Sequence, residues 1–474
     1  MIERCPTCHE RVCFTTSICP NCGSDRYKSP LKASDKRPSV YGTGIRELTT
    51  HPAAFWGALA LLVLAMCSFV LDWTLVSESG SIDYRNRITG VRLLVSGQDP
   101  YHTKWIPGDP GRLCDPYDNP KLQITKTTVT PAMLVTSLPW ANMLYPKLQV
   151  LWLIAQWGML VGLWYLWFWW PGHTPRSRCW WSLLVVGFTY TLAWRHHVDR
   201  GQGYLLWALL LSVWMRLGLA KPTKANGWLP GLLGGLLVCL RPPLLLVIAP
   251  FIFLRRRNQW LGAVTGLLLG LGAPVLMKPT VWGDYARAMN TWSTVYLTHS
   301  EPRPGQRAFP PEIEGMPVDH LASYKVNQFA DTSVFRLFYS WGWKAVPAGV
   351  ALALLCLGFS LWLWMSRGAC DAGILLGLAA WSFLADAFLP AYRYPYDDVM
   401  ILNTFALFPL IYRMGRTFQW MTLLATLLGI LTANIHPSER WWIYLPTLVM
   451  AAIAVLALQQ SARAGSIASK LQQT

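Results

Sequence analysis

Apolar runs separated by short polar breaks make up most of this chain, and their lengths predict helices rather than strands. The first run, 54–72, reaches across the roughly 30 Å of a hydrocarbon layer at about 1.5 Å per residue. Further runs near 148–170, 181–194, 204–219, 228–240, 244–254, 260–277, 346–365, 374–389, 399–411, 421–433 and 442–458 bring the expected number of spans to about twelve. One stretch resists this pattern. Residues 131–145 are apolar but carry Pro131 and Pro139 and are short for an untilted span, so they are expected to re-enter, to lie at the surface or to cross as a thirteenth span. Two longer segments, 74–130 and 278–344, are rich in Pro, Gly and Trp and are expected to form short helices and turns on the membrane face.

Charge gives the expected orientation. Lys28, Lys32, Lys36, Arg37 and Arg46 precede the first run, and alternation puts Arg176, Arg178, Lys221, Lys224, Arg255–Arg257, Arg367, Arg413, Arg416 and Arg463 on that same side. Basic loops stay cytoplasmic, so both termini are expected in the cytoplasm of a multi-pass plasma or inner membrane protein, with 74–130 and 278–344 outside. The charged, Cys-bearing first fifty residues do not have the form of a secretory signal peptide, so the first span is expected to be retained.

Composition excludes a single soluble globule, since 53% hydrophobic residues against 14% charged, with 27 Trp, is more apolar surface than one core buries. The net charge of +17 is dispersed in short clusters between apolar runs, so no nucleic-acid partner is expected. No internal repeat, P-loop, nucleotide-sugar motif, paired-carboxylate hydrolase pattern or Asp-x-Asp motif occurs, and no metal is expected at a reaction site.

Cysteine placement isolates the N-terminus. Five of the eleven Cys fall in the first 22 residues, and only Cys114 lies in an expected external segment, where a disulfide lacks a partner. Cys5-Pro6-Thr7-Cys8 and Cys19-Pro20-Asn21-Cys22 are two knuckles ten residues apart, a spacing at which four thiolates close a tetrahedron around zinc. His9 and Cys13 stand close by as alternative ligands. The expected organisation is a structural zinc ribbon at 1–26, a polar cytoplasmic linker at 27–50, a membrane domain at 51–460 and a cytoplasmic tail at 461–474. The ribbon binds a partner protein or merely caps the terminus.

In the twelve-span arrangement Asp83, Arg195-His196-His197, Asp199–Gln202, Arg241 and Arg393–Asp398 all fall at outer ends of spans, whereas the inner loops are only basic. Ionisable groups at membrane depth are costly and line cavities or sites. Arg241-Pro242-Pro243 breaks a short apolar pair at a level where a guanidinium either grips a lipid phosphate bidentately or snorkels to cap a helix. His196 and His197 read equally as phosphate ligands or as interfacial residues, and Asp83 has the alternative reading of an N-cap before 84–96.

The segment Ser81-Ile82-Asp83-Tyr84-Arg85-Asn86-Arg87, closed by Gly97-Gln98-Asp99-Pro100-Tyr101, resembles the first external loop of glycosyltransferase family 87, membrane enzymes of the GT-C fold that take a sugar from a polyprenyl-phosphate carrier. Over about 54–415 the order of later elements is similar too. Thr130-Pro131-Ala132 stands where the family has Tyr-Pro-Pro, and Gly201-Gln202-Gly203-Tyr204 has Tyr in place of Asn. Gly231 and Gly234 lead into Arg241-Pro242-Pro243 and Arg255-Arg256-Arg257, where Lys-Pro is common. Asn327-Gln328-Phe329 with Arg336, and Leu389–Asp398, where many members carry His, complete the series. The resemblance implies an all-α GT-C membrane domain and Asp83 as the base that takes the acceptor hydroxyl's proton. Arg195, His196, His197, Arg241 and Arg393 are then expected to bind the donor phosphate, and Gln202, Asp397 and Asp398 to face the sugar or acceptor. The expected reaction moves a hexose or pentose, mannose first, from a polyprenyl-phosphate-linked sugar to a lipid or glycan acceptor on the extracytoplasmic side. Two rivals stand beside it: a transporter or flippase of lipid-linked sugars, which would show two matched broken helices, and a zinc-ribbon membrane scaffold.

Overall fold

The computed structural model describes residues 2–4, 11–13, 52–170, 175–219, 224–298, 312–313, 316–317, 348–366, 369, 371–388, 394–411, 416–434 and 444–472. Apart from two short antiparallel pairs, β1 (Ile2–Arg4) with β2 (Arg11–Cys13) and β3 (Glu312–Ile313) with β4 (Met316–Pro317), the regular structure there is helical. In chain order the α-helices are α1 (Pro52–Ser79), α2 (Ile82–Val95), α3 (Pro131–Thr136), α4 (Tyr145–Phe168), α5 (Pro175–Phe188), α6 (Leu192–Arg200), α7 (Tyr204–Leu219) and α8 (Lys224–Leu240). They continue as α9 (Leu245–Arg255), α10 (Trp260–Met277), α11 (Val281–Thr298), α12 (Ala348–Met365), α13 (Asp371–Phe388), α14 (Ile401–Ile411), α15 (Arg416–Asn434) and α16 (Tyr444–Gln472). The expected zinc ligands Cys5, Cys8, Cys19 and Cys22, the expected linker, Arg393, and Asn327, Gln328, Phe329 and Arg336 lie outside the described residues.

The chain is an all-α membrane-type protein. Among the described residues Phe55–Ser77, Tyr145–Phe168, Arg257–Met277 and Tyr444–Ser461 are long and apolar enough to cross a membrane, and α6 with α7 adds a fifth if that pair, bent by 109°, is one span. Five apolar helices are shorter: Gly227–Leu240, Pro242–Leu254, Val350–Met365, Gly373–Phe388 and Gln419–Ala433.

Two expectations are corrected by local physics, and one open placement is narrowed. The first helix does not end at Asp72: the hydroxyls of Thr74 and Ser77 donate back to the Leu71 and Thr74 carbonyls (both 2.8 Å), which lets polar residues extend it to Ser79. Asp72 is therefore inside a helix and fully buried. The run 181–194 is not one helix. It breaks after Phe188, and Thr191 caps a new helix by accepting from the Trp194 amide (3.4 Å). The stretch 131–145, whose placement the sequence leaves open, is not one spanning helix: α3, capped by Thr130 with Pro131 in its first turn, rises only about 9 Å before a 3-10 turn at Leu138–Trp140.

The stretch α2 to α3 and helix α11 form a layer of their own. Val91, Leu94, Tyr101, Leu122, Ile124 and Leu134 pack against Val281, Ala288 and Trp292 of α11. The Gly97–Tyr101 turn is built to reach this layer. Left-handed Gly97 (φ 72°) ends α2, the Asp99 carboxylate accepts from the Tyr101 amide (2.8 Å), and the buried Tyr101 donates its hydroxyl to the Val129 carbonyl (2.9 Å). Lys104 ties the loop together by donating to both Asp118 oxygens (2.8 Å each) and to the carbonyls of Asn119 (3.0 Å) and Ile124 (2.6 Å).

Beneath that layer the bundle core is built around Trp167, Trp181, Trp194, Trp214, Phe251 and Phe383. Helices α8 and α10 approach until backbone meets backbone: a Cβ at Gly235 or Gly262 would lie 2.1 Å from a carbonyl oxygen of the partner helix. Polar contacts then mark two levels. At one end Arg216 donates to the Leu166 carbonyl, while Arg256 donates to the Gly218 carbonyl (3.1 Å) and pairs with Asp371 (2.6 Å). The other end collects Asp83, the start of α7, the break between α8 and α9, and Asp386. Along α13 the rise from Asp371 to Asp386 is roughly 22 Å.

Candidate functional site

The site grows from a strained turn. After α1 the chain turns through Gly80 (φ 75°) and Ser81 (φ 49°), both left-handed, and a single hydroxyl holds it: Tyr145 Oη lies 2.6 Å from the Gly80 carbonyl and 2.7 Å from the Ser81 carbonyl. Against this turn packs a third left-handed residue, Gly201 (φ 64°), where a Cβ would stand 2.7 Å from the Tyr84 Cβ and 3.0 Å from the Ser81 Cβ. Two chain segments more than a hundred residues apart thus meet at backbone contact.

Asp83 sits at this junction. The N-cap position of α2 belongs to Ser81, which makes no side-chain cap, so the N-cap alternative for Asp83 does not hold; its carboxylate lies in the first turn, where the helix dipole favours it. One oxygen accepts from the Gln202 amide, the other lies 3.6 Å from Arg200 Nη1, and the side chain stays 23% exposed. It is therefore a held carboxylate with access to solvent.

Behind it Arg87 acts as a buried clamp. Its Nε donates to the Asp83 carbonyl (3.2 Å) and its Nη2 to the Gly201 carbonyl, which also accepts from Trp152 Nε1 (2.9 Å). Tyr84 and Trp152 stack at 4.8 Å beneath the guanidinium. Burial draws Arg87 below its ordinary value, with Asp83 opposing the shift, and pushes the Tyr84 hydroxyl up to about 12.

From Asp83 a ladder of rings and cations crosses the end of the bundle. Arg200 lies 5.5 Å over Tyr394, which stacks on Tyr396 at 4.8 Å; Tyr396 meets Tyr204 at 5.3 Å, and Tyr204 lies 4.2 Å beneath Arg241. Arg241 also covers Trp207 (4.8 Å) and pairs with Asp386 (3.0 Å). It is no snorkelling cap, being 12% exposed and held on three sides. The helix break that presents it is satisfied too, since Thr130 Oγ1 donates to the Leu240 carbonyl (3.2 Å) and Pro242 and Pro243 start the next turn.

No family model matches this chain, and neither does any curated protein. The geometry alone therefore decides how the expected residues are read. Asp83, Gln202 and Arg241 come together at one end of the bundle, and Asp397 joins them at the edge by accepting from the Tyr394 amide (3.2 Å). Arg195 instead turns into the bundle to pair with Asp72. His197 is fully buried, accepts from the Leu205 amide (3.2 Å) and stacks on Trp194, while His196 is half-buried on the same helix. Asp398 is buried and accepts from Thr447 (2.9 Å). Arg87, Arg200, Tyr204, Tyr394 and Tyr396 stood inside the motifs and polar stretches read from the sequence but were given no role there, and Asp386 was passed over. Asp386 too carried a usable signal, as an acid near the end of an apolar helix.

Proposed function

We propose that this protein is a membrane glycosyltransferase of GT-C type, moving a hexose or pentose, mannose first, from a polyprenyl-phosphate-linked sugar to a lipid or glycan acceptor at the extracytoplasmic face. The observation that carries the reading is the Asp83 carboxylate, held by Gln202 and Arg200 yet open to solvent at the end of the bundle where the other site groups gather. Asp83 accepts the proton of the acceptor hydroxyl as that oxygen attacks the anomeric carbon, and the bond from that carbon to the carrier phosphate breaks. Because Arg195 and His197 are engaged inside the bundle, the departing phosphate falls to Arg200 and Arg241, whose guanidiniums flank the tyrosine ladder. The Tyr394 and Tyr396 rings offer the sugar an apolar face. In this reading the bent α6–α7 pair is one span and the five shorter apolar helices cross too, tilted or broken, so that with the four long helices, α5 and α14 they make up the twelve expected spans.

Purified protein offered a panel of polyprenyl-phosphate sugars and lipid acceptors tests the reaction directly. A new glycoside with release of polyprenyl phosphate supports it. Movement of the sugar lipid across sealed vesicles with its linkage unchanged would favour a flippase, for which the bent α6–α7 pair is the one structural argument.

The orientation has its own test. On a background without native Cys, a cysteine at Lys121, an exposed residue at the site end, is expected to react with an impermeant maleimide on intact cells. One at Thr223 is expected to react only after permeabilisation. Labelling at 223 from outside would overturn the extracytoplasmic assignment.

The N-terminal segment is proposed to hold one structural zinc through Cys5, Cys8, Cys19 and Cys22. The ladder of β1 with β2 ends at the pair Arg4 and Arg11, so the first Cys-x2-Cys falls in the stretch joining two antiparallel strands, the connection a zinc knuckle uses. Such a segment draws its folding free energy mainly from the metal. Metal analysis is expected to find one zinc per chain in wild type and none in the Cys19→Ser/Cys22→Ser variant, with transfer still measurable. Transfer lost from a stably folded variant would give the ribbon a part in the catalytic cycle, against the partner-binding or capping role assigned to it.

A further inference from the structure

Asp72 lies inside Phe55–Ser77, a segment apolar and long enough to cross a membrane, and its side chain is fully buried. A carboxylate there is costly unless donors replace its water. Three do: Trp157 Nε1 at 3.0 Å, Trp194 Nε1 at 2.8 Å, and the Arg195 guanidinium, which also donates to the Ser68 carbonyl (3.3 Å) and hydroxyl (3.2 Å). One acid thereby ties α4 and α6 to α1.

Helix α6 depends on such a tie. It has nine residues, is polar over much of its length and is bent 109° away from α7, so it is too short to hold its place alone. Yet its C-terminal end delivers Arg200, Gly201 and Gln202 to Asp83. The arm made by α1 and α2 grips α6 twice, at Arg195 through Asp72 and at Arg200 and Gln202 through Asp83. The two grips are separated by roughly 7.5 Å of helix rise. A slide or rotation allowed by loss of the first is therefore carried along the helix toward the second.

We propose that Asp72 is a positioning residue: acting through Arg195, it fixes α6 so that Gln202 and Arg200 hold the Asp83 carboxylate in place. The catalytic half of this inference rests on Asp83 being the base; the geometric half does not.

The test uses the full chain in detergent, with Asp72→Asn and, should that variant fail to fold, Arg195→Gln, which removes the cation of the same pair. Coupling of glycine ethyl ester by a water-soluble carbodiimide, mapped by mass spectrometry, reads the exposure of Asp83 against Asp99, a carboxylate of similar exposure outside this network. Asp83 labelling is expected to rise about threefold or more relative to Asp99, and amide exchange in 192–202 about tenfold, with exchange in 145–168 unchanged. In the transfer assay kcat is expected to fall about tenfold while KM for the lipid-linked donor stays within about twofold. Unchanged Asp83 labelling, or exchange raised evenly through the bundle, would overturn the inference and leave the proposed reaction standing. If wild type transfers no sugar but the labelling and exchange changes occur, the positioning role stands and the proposed reaction falls.

Discussion

Asp83→Asn is expected to lower sugar transfer by about a hundredfold or more, the range a well-placed general base supplies, while the donor still binds with its wild-type dissociation constant. Asn keeps the shape of the side chain and one oxygen for the Gln202 amide, so the turn at Gly80 and Ser81 and the packing of Gly201 are undisturbed. What is lost is the basic oxygen and the charge facing Arg200. Initial rates and donor binding, measured on the same preparation, separate these effects. Activity above about a tenth of wild type would move the base elsewhere, with Asp386 next in line as a part-exposed carboxylate beside Arg241.

Gly201→Ala is expected to damage folding and function together. A left-handed backbone costs a residue with a Cβ about 1–2 kcal/mol. Here the new methyl also meets the Tyr84 and Ser81 Cβ atoms at 2.7 and 3.0 Å, and neither is the free end of a flexible side chain. The strain is relieved only by parting the two turns, which draws Gln202 away from Asp83 and opens the Arg87 and Trp152 bonds to the Gly201 carbonyl. A destabilisation of about 3 kcal/mol is expected, read as a lowered thermal midpoint in detergent, with transfer falling at least tenfold at temperatures where the protein stays folded. A variant with wild-type stability and rate would show that the contact between the two turns does not shape the site.

Much of the bundle was legible because apolar runs leave a plain periodic trace, and the errors fell where a single polar side chain decides a helix end. Thr74 and Ser77 carry α1 past Asp72 by bonding to their own helix, and Thr191 restarts a helix inside what reads as one apolar run. Taking Asp72 for the end of a span also hid the partner of Arg195, which left that arginine looking available to a phosphate. In the site, Asp83 and Gln202 each stood in a recognisable motif, but their contact spans 119 positions of chain. The tyrosine ladder was illegible for the same reason: Tyr204 and Tyr396 are ordinary aromatic residues at helix starts until the fold stacks them between Arg200 and Arg241.

Lys104 has one further consequence. Four oxygens from Asp118, Asn119 and Ile124 converge on its ammonium, an arrangement in which many extracellular loops would seat a calcium ion. Here the cation is part of the polypeptide and cannot be washed out. This loop therefore needs no divalent ion at that point to hold its shape, and chelators leave the contact intact.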